Sequence, residues 1–349
     1  MGLQRMRGLT LAAAILALAA CGRENAQPST PAGVAAATSI DFALVANYAA
    51  PPLPAYFNET VAALDNSPAS NPVDDRVATL GRVLFHDMRL STNNRASCAG
   101  CHQQRFGFTD PMRFSNGIST AGTTDFHAMR LGNLRYWRPG TMFWDRRAAN
   151  AEAQASQPFH SLVEMGWGGP AGGIDALIRK MTATAYYPDL FAWAFGNATI
   201  TEPRIQRALA QFVRAMVSHD SRWDSGYARV FSRTAPNRAM DADLPNFTAE
   251  ENRGRNLFMT DVGKGGAGCA SCHLPPTFAL AADARSNGLD AGERRLFKAP
   301  TLRGVGLTGP YMHDGRFATL AEVIAFYASG VRDGPALDPR LRQGGEPRR

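Results

Sequence analysis

Apolar positions along the chain recur at helical spacing. Val77, Leu80, Val83 and Leu84 fall three and four residues apart, which marks one buried helix face. They predict a helix starting near Asn71-Pro72, with proline in its first turn. Ile174, Leu177 and Ile178 predict a second helix. Ile205, Leu209, Phe212, Val213 and Met216 form the apolar stripe of a third. Another begins at Thr248, where Glu251 three residues on completes a capping box. Glycine-rich loops fill 115–123 and 166–173, and no segment is rich in strand alternation. The pattern predicts a mostly α fold with long loops and little strand. Before it, residues 21–71 are rich in Ala, Pro, Ser and Asn, with prolines at 51, 52 and 54. They read as a flexible tether and extended lead-in.

The helical pattern contains a repeat. Gly81-Arg82-Val83-Leu84-Phe85 and Gly254-Arg255-Asn256-Leu257-Phe258 share G-R-x-L-F, and each precedes a C-x-x-C-H motif by a similar distance. The glycine is expected to let another helix approach closely, and the Leu and Phe to wall a cofactor. The repeat divides the chain into two related units, at 72–245 and 246–349.

The C-x-x-C-H motifs are Cys98-Ala99-Gly100-Cys101-His102 and Cys269-Ala270-Ser271-Cys272-His273. This is the attachment signature of c-type haem. Cys98, Cys101, Cys269 and Cys272 would form thioethers to the porphyrins, and His102 and His273 would each ligate iron. A structural zinc site could use the two cysteine pairs, but it needs no histidine after each pair. The fold expectation is therefore two cytochrome-c-like haem domains.

The amino terminus changes the compartment. Arg5 and Arg7, an apolar run from Leu9 to Ala20 and small residues before Cys21 form a secretory signal. Leu18-Ala19-Ala20-Cys21 resembles the bacterial lipobox, which implies a signal peptide over 1–20 and lipidation of Cys21. The expected location is the periplasm, with the lipid anchor the one membrane contact; Gly22 points to the outer membrane. Loss of Arg5 and Arg7 lowers the formal +7 to +5, which the haem propionates nearly cancel. The basic residues are mostly Arg and scattered, so they do not form a nucleic-acid footprint.

Further residues carry a family resemblance. After the first motif come Met142-Phe143-Trp144-Asp145-Arg146-Arg147-Ala148, Gln154, Pro158 and Glu164-Met165-Gly166. After the second come Phe297-Lys298-Ala299-Pro300-Thr301-Leu302-Arg303 and Gly309-Pro310-Tyr311-Met312-His313-Asp314-Gly315. Over roughly 72–335 the chain resembles the bacterial di-haem cytochrome c peroxidase and MauG family. The resemblance implies a peroxide-reactive first haem and an electron-relaying second haem, with Trp144 between them. Glu164 matches the distal acid/base, Gln154 and Pro158 distal-pocket residues, and Met165 a residue near the inter-haem region. Asn133, Thr308 and Pro310 match positions that hold a calcium ion. The sixth-ligand position of the second haem is Tyr327, as in MauG, where typical peroxidases have methionine; Met312 is the competing donor. His127 lies where family members carry a histidine that caps the first iron, although a local hydrogen bond or propionate contact also suits it. Ala267 stands where MauG has a surface tryptophan, so that exit for an oxidising equivalent is not carried over.

These readings imply an enzyme that reduces hydrogen peroxide with electrons from a small soluble cytochrome c or copper protein. The alternative is a MauG-like oxidase that modifies Trp or Tyr of a partner protein. A third is a non-catalytic electron-transfer cytochrome, against which Glu164 and its distal neighbours argue. The resemblance also makes a homodimer possible.

Overall fold

A computed structural model describes residues 29–118 and 122–348. Cys21 and the leader lie outside the described residues. The described chain is helical with long loops. Its strands are two-residue antiparallel pairs, His273–Leu274 with Ala279–Leu280 and Arg342–Gln343 with Glu346–Pro347. No described helix is long and apolar enough to cross a membrane.

The first unit is built on Asp75–His86 packed against Glu202–Ala215. The first of these starts later than Asn71-Pro72 suggests. Asp74 is its cap, accepting from the backbone N–H groups of Arg76 and Val77, which satisfies two orphan donors. Leu80, Leu84, Ile205 and Leu209 meet in the core with Leu190 and Phe191, each worth roughly 1.5–3 kcal/mol on burial. Gly81 sits at the crossing. A Cβ there would lie 1.9 Å from the Ala208 carbonyl oxygen, so any side chain would push the helices apart. Gly254 in the second repeat behaves differently, with nothing within 4 Å of an added Cβ. Its helix, Ala249–Met259, has the expected reciprocal Thr248/Glu251 capping box.

The lead-in is not a loose tether over its described length. Val34 and Phe42 enter the first core, and Phe42 stacks on Trp193 with ring centroids 4.3 Å apart. Tyr56 is buried among Tyr227, Met240 and Leu244. Composition suggested flexibility, but its few apolar residues are enough to bind the segment to the fold. The second unit has a smaller core of Leu289, Phe326, Val331 and Leu337, against which Met312 and Tyr327 pack.

Candidate active site

In the first C-x-x-C-H motif, Cys98–Cys101 forms one helical turn and the His102 N–H bonds to the Cys98 carbonyl at 2.8 Å. His102 Nδ1 lies 3.0 Å from the Phe108 carbonyl, which leaves Nε2 for iron and fixes the ring. Phe85 lies beside this imidazole, at 6.4 Å between centroids. The second motif is held differently. His273 pairs with Leu280 in a short strand, and its Nδ1 is buried without a partner. Burial, then the Arg130 charge, pulls the His273 imidazole down to about 4.

The units meet through a repeated turn. Met142 bridges Ala148, and Tyr311 bridges Phe317. Each seven-residue turn has positive φ at its second and fifth residues: Phe143 and Arg146 in one, Met312 and Gly315 in the other. Trp144 and His313 are thus equivalent residues, and their rings meet edge-on with centroids 6.4 Å apart. The contacts are reciprocal. Lys298 N–H donates to the Trp144 carbonyl at 2.7 Å, and His127 N–H to the His313 carbonyl at 2.8 Å. Trp144 Nε1 donates to the His127 carbonyl at 2.8 Å, so the indole is fixed at the junction.

The turns also set the register of the residues beyond them. Pro158 lies fourteen residues after Trp144, and Tyr327 fourteen after His313. The second unit therefore offers a phenol where the first offers a ring with no donor atom. Tyr327 lies in a π-helical turn, Phe326–Gly330, a distortion common at functional sites. Its hydroxyl is 3.4 Å from Asn287 Nδ2, and the same amide lies 3.5 Å from Met312 Sδ. Burial raises the phenol pKa, the Asn287 hydrogen bond opposes this, and Cys272 and Cys269 are near enough to contribute. Tyr327 and Met312 thus share one pocket beside the second cysteine pair.

Glu164 belongs to the first pair. Burial raises the Cys98 thiol, to about 12, and also the Cys101 thiol; the Glu164 charge adds to both. Burial likewise raises the Glu164 carboxyl, opposed chiefly by Arg147. Its loop is tightly held. Trp167 Nε1 donates to the Leu90 carbonyl at 2.6 Å, and Gly166 N–H to the Ser161 carbonyl at 2.8 Å. Gly166 has φ +84°, and a Cβ there would strike Ile118 and Thr92. Met165 is buried in the first core. Gln154 is half-buried on Ala151–Ala155, the short helix preceding Pro158.

Buried cations provide a test of whether the chain suits haem. Arg130 is 8% exposed, donates from Nη1 to Thr308 Oγ1 at 2.8 Å, and leaves Nε without a partner. Lys298 is 3% exposed; among the described residues its ammonium meets the sulfurs of Met142 at 3.6 Å and Met129 at 3.9 Å and lies 5.9 Å from the Trp137 ring. Burial, then Arg146, pulls Lys298 down to about 7. Both line one small cavity with Trp137 and Leu280. Uncompensated buried cations are costly, and carboxylates of bound haem would compensate them. The buried cations, and a His102 imidazole oriented through Nδ1 by the Phe108 carbonyl, fit propionate-bearing haem.

The sequence model of the family described as di-haem cytochrome c peroxidase matches residues 75–229. The chain is 31% identical over 293 residues to the methylamine utilization protein MauG of Methylorubrum extorquens, covering 79% of this chain and 75% of that protein. The chain belongs to the di-haem cytochrome c peroxidase/MauG family. It is also 29% identical to the cytochrome c551 peroxidase of Nitrosomonas europaea, over 73% of this chain and 74% of that one. A crystal structure of a MauG-like protein associated with microbial copper homeostasis matches with TM-score 0.65 and 30% identity, covering 84% and 89% of the two chains. Membership makes this chain a haem oxidoreductase and implies two covalent haem c groups.

Two further positions drawn from the family resemblance have defined local contacts. His127 has the local hydrogen bonds that suit it as well as a cap would: its Nδ1 lies 3.1 Å from the Met112 carbonyl and its Nε2 3.0 Å from Thr109 Oγ1. The residues of the calcium expectation have protein partners. Asn133 receives the Ser218 N–H at 2.6 Å and donates to the Ser218 carbonyl at 3.2 Å. Thr308 Oγ1 accepts from Arg130 Nη1 at 2.8 Å. Pro310 follows a cis bond in the same segment. No cluster of three His, Cys, Asp or Glu suited to a metal occurs among the described residues.

Sequence reasoning missed Asn287, Arg130 and Lys298. Only Lys298 left a trace: it is one of three lysines in a chain whose cations are otherwise arginine.

Proposed function

We propose that the chain reduces hydrogen peroxide at the first haem unit and draws electrons through the second from an external donor, as cytochrome c peroxidases do. The observation that carries this reading is the asymmetry at one repeated position. Pro158 would offer no donor atom to an iron held by His102, while Tyr327, fourteen residues after His313 as Pro158 is after Trp144, would offer a phenol to one held by His273. Haem, when bound, supplies the redox chemistry. The carboxylate of Glu164 takes a proton from one peroxide oxygen and returns it to the other, which leaves as water. The loop around Gly166 holds that carboxylate where burial keeps it basic. Trp144 offers the electron route between units. Two closed electron-transfer haems would need neither Glu164 nor a donor-free Pro158.

The MauG-like reading has one observation in its favour. A tyrosine oxygen at the second iron suits higher oxidation states than methionine sulfur does. Ala267 counts against the MauG exit route. Stoichiometric peroxide added to the diferric protein separates the readings. A response of the diferric protein that a small reduced redox protein rapidly discharges supports the peroxidase, whereas a response that appears only after one-electron reduction counts against the open first site and against Tyr327 as ligand. A long-lived oxidised state without prior reduction supports the MauG-like oxidase. No response in either state refutes both. The setting we propose is the periplasm, with the protein lipid-anchored through Cys21 and supplied by a small soluble redox protein.

A further inference from the structure

Beside the second haem unit lies an aromatic group outside the peroxide reaction. Phe278, five residues after His273, packs edge-on against Trp223 at 5.0 Å and near Phe258 at 6.0 Å. Trp223 lies 4.8 Å from Tyr227 and 6.0 Å from Tyr56, and the two tyrosines are 5.1 Å apart. A near-continuous aromatic path thus runs from the haem-binding loop to two buried phenols.

The two phenols differ in what receives their proton. Tyr227 donates to the Arg238 carbonyl at 3.0 Å, and an amide oxygen cannot keep a proton. Tyr56 donates to Asp224 Oδ1 at 2.6 Å. That carboxylate is 2% exposed and is held by Arg303 through both oxygens, at 2.5 and 2.8 Å, and by Ser221 Oγ at 2.6 Å. Arg303 also donates to the Pro276 carbonyl, which ties the pair to the loop after His273. Its guanidinium lies 5.4 Å from the Trp223 ring. A positive charge there opposes a hole on the indole. The indole is therefore a way through, and the hole has one favourable place to rest.

We propose that Tyr56 is a redox-active residue that stores one oxidising equivalent as a neutral tyrosyl radical, with Asp224 as its proton acceptor. This rests on the proposed peroxide reaction, which supplies the oxidant. One electron leaves Tyr56 through Trp223 and Phe278 for the peroxide-oxidised second haem. The phenolic proton crosses to Asp224 Oδ1, giving a neutral acid still hydrogen-bonded to Arg303 and Ser221. An oxidised phenol is a far stronger acid than a carboxylic acid, so the transfer is downhill. Reduction of Tyr56 by an external donor returns the proton. No other bond is made or broken.

The test uses the protein with both haems attached. Stoichiometric hydrogen peroxide is added, samples are frozen at intervals for electron paramagnetic resonance, and the haem spectra are followed in parallel. We expect a radical signal that narrows when the protein is grown with ring-deuterated tyrosine. It is lost in Tyr56→Phe and retained in Tyr227→Phe. The oxidised haem spectrum decays more slowly in Tyr56→Phe, and in the parent protein its decay slows in D₂O because a proton moves. Oxidised haems without a tyrosyl signal, or a signal that survives Tyr56→Phe, overturn this inference alone. Haems that never respond to peroxide overturn the functional reading and this one with it.

Discussion

Replacing Glu164 by Gln separates what this carboxylate does for chemistry from what it does for stability. The substitution keeps shape and removes charge and basicity. General acid–base catalysis contributes about 10²- to 10⁴-fold, so the reaction with peroxide should slow by that factor, equivalent to roughly 3–5 kcal/mol of barrier. Burial raises the folded-state pKa of Glu164, against the opposing charge of Arg147. A carboxyl raised on folding contributes stability below its unfolded pKa and loses it as pH rises through the folded value. At neutral pH the ionised Glu164 therefore strains the fold, and Glu164→Gln should be the more stable protein. The two should converge near and below pH ~4, where the parent carboxyl is protonated in both states.

The assay is stopped-flow mixing with peroxide across pH, alongside denaturant unfolding, on protein whose haem content has been checked. The parent rate should fall as acid protonates Glu164, with a midpoint above the ordinary glutamate range. The variant should lack that limb. A variant that reacts at the parent rate removes Glu164 from the mechanism. A variant that is slow but keeps the limb assigns the titration to another group. A loss of stability at neutral pH contradicts the desolvation argument.

Single contacts give further expectations. Arg147→Gln removes the main charge opposing the raised Glu164 carboxyl, so the acid limb of the peroxide reaction should move to higher pH. Pro158→Tyr copies the second unit's residue into the first; the first haem should become six-coordinate by resonance Raman and lose peroxide reactivity. Gly81→Ala should destabilise by about 1–3 kcal/mol in urea unfolding, because its Cβ meets the Ala208 backbone. Gly254→Ala, in open space on a helix, should instead stabilise by about 0.4–1 kcal/mol.

Local signals were legible in the sequence and long-range ones were not. The Thr248 capping box, the stripe on Glu202–Ala215 and both C-x-x-C-H motifs are patterns over a few residues, and the structure forms the helices they mark. The packing of the Pro-rich lead-in leaves no local signal, because the partners of Phe42 and Tyr56, Trp193 and Asp224, are far along the chain. The repeated glycine looks alike in both units. Its meaning depends on a crossing helix present at Gly81 and missing at Gly254 among the described residues. Arg130 and Lys298 escaped notice because charged residues are ordinarily exposed, and no periodicity reveals a cation buried to meet a cofactor.

The two units show how one duplicated frame yields two chemistries. Backbone geometry is shared: the same turn, the same positive-φ positions and the same reciprocal hydrogen bonds at the junction. Only side chains at equivalent positions diverge. Trp144 faces His313 across the junction, where an indole can carry an electron more readily than an imidazole whose pKa burial has lowered. Under the proposed function, Pro158 against Tyr327 would set whether the iron of each unit has a sixth ligand from the protein. His102 Nδ1 is bonded to a carbonyl, which strengthens the imidazole as a donor, whereas His273 Nδ1 has no partner. A ligand with a bonded second nitrogen favours the higher oxidation states of its iron. On the proposed function, the first unit would combine a histidine strengthened by the Phe108 carbonyl with a donor-free Pro158 and the buried Glu164. The second would combine a histidine without that support with the Tyr327 oxygen, so its tuning would rest on Tyr327 and the Asn287 amide beside it. If that division is correct, Asn287→Leu should shift the potential of the second haem and leave the first unchanged in a spectroelectrochemical titration. Equal shifts at both haems would mean that the junction, not the sixth-ligand pocket, sets the potentials.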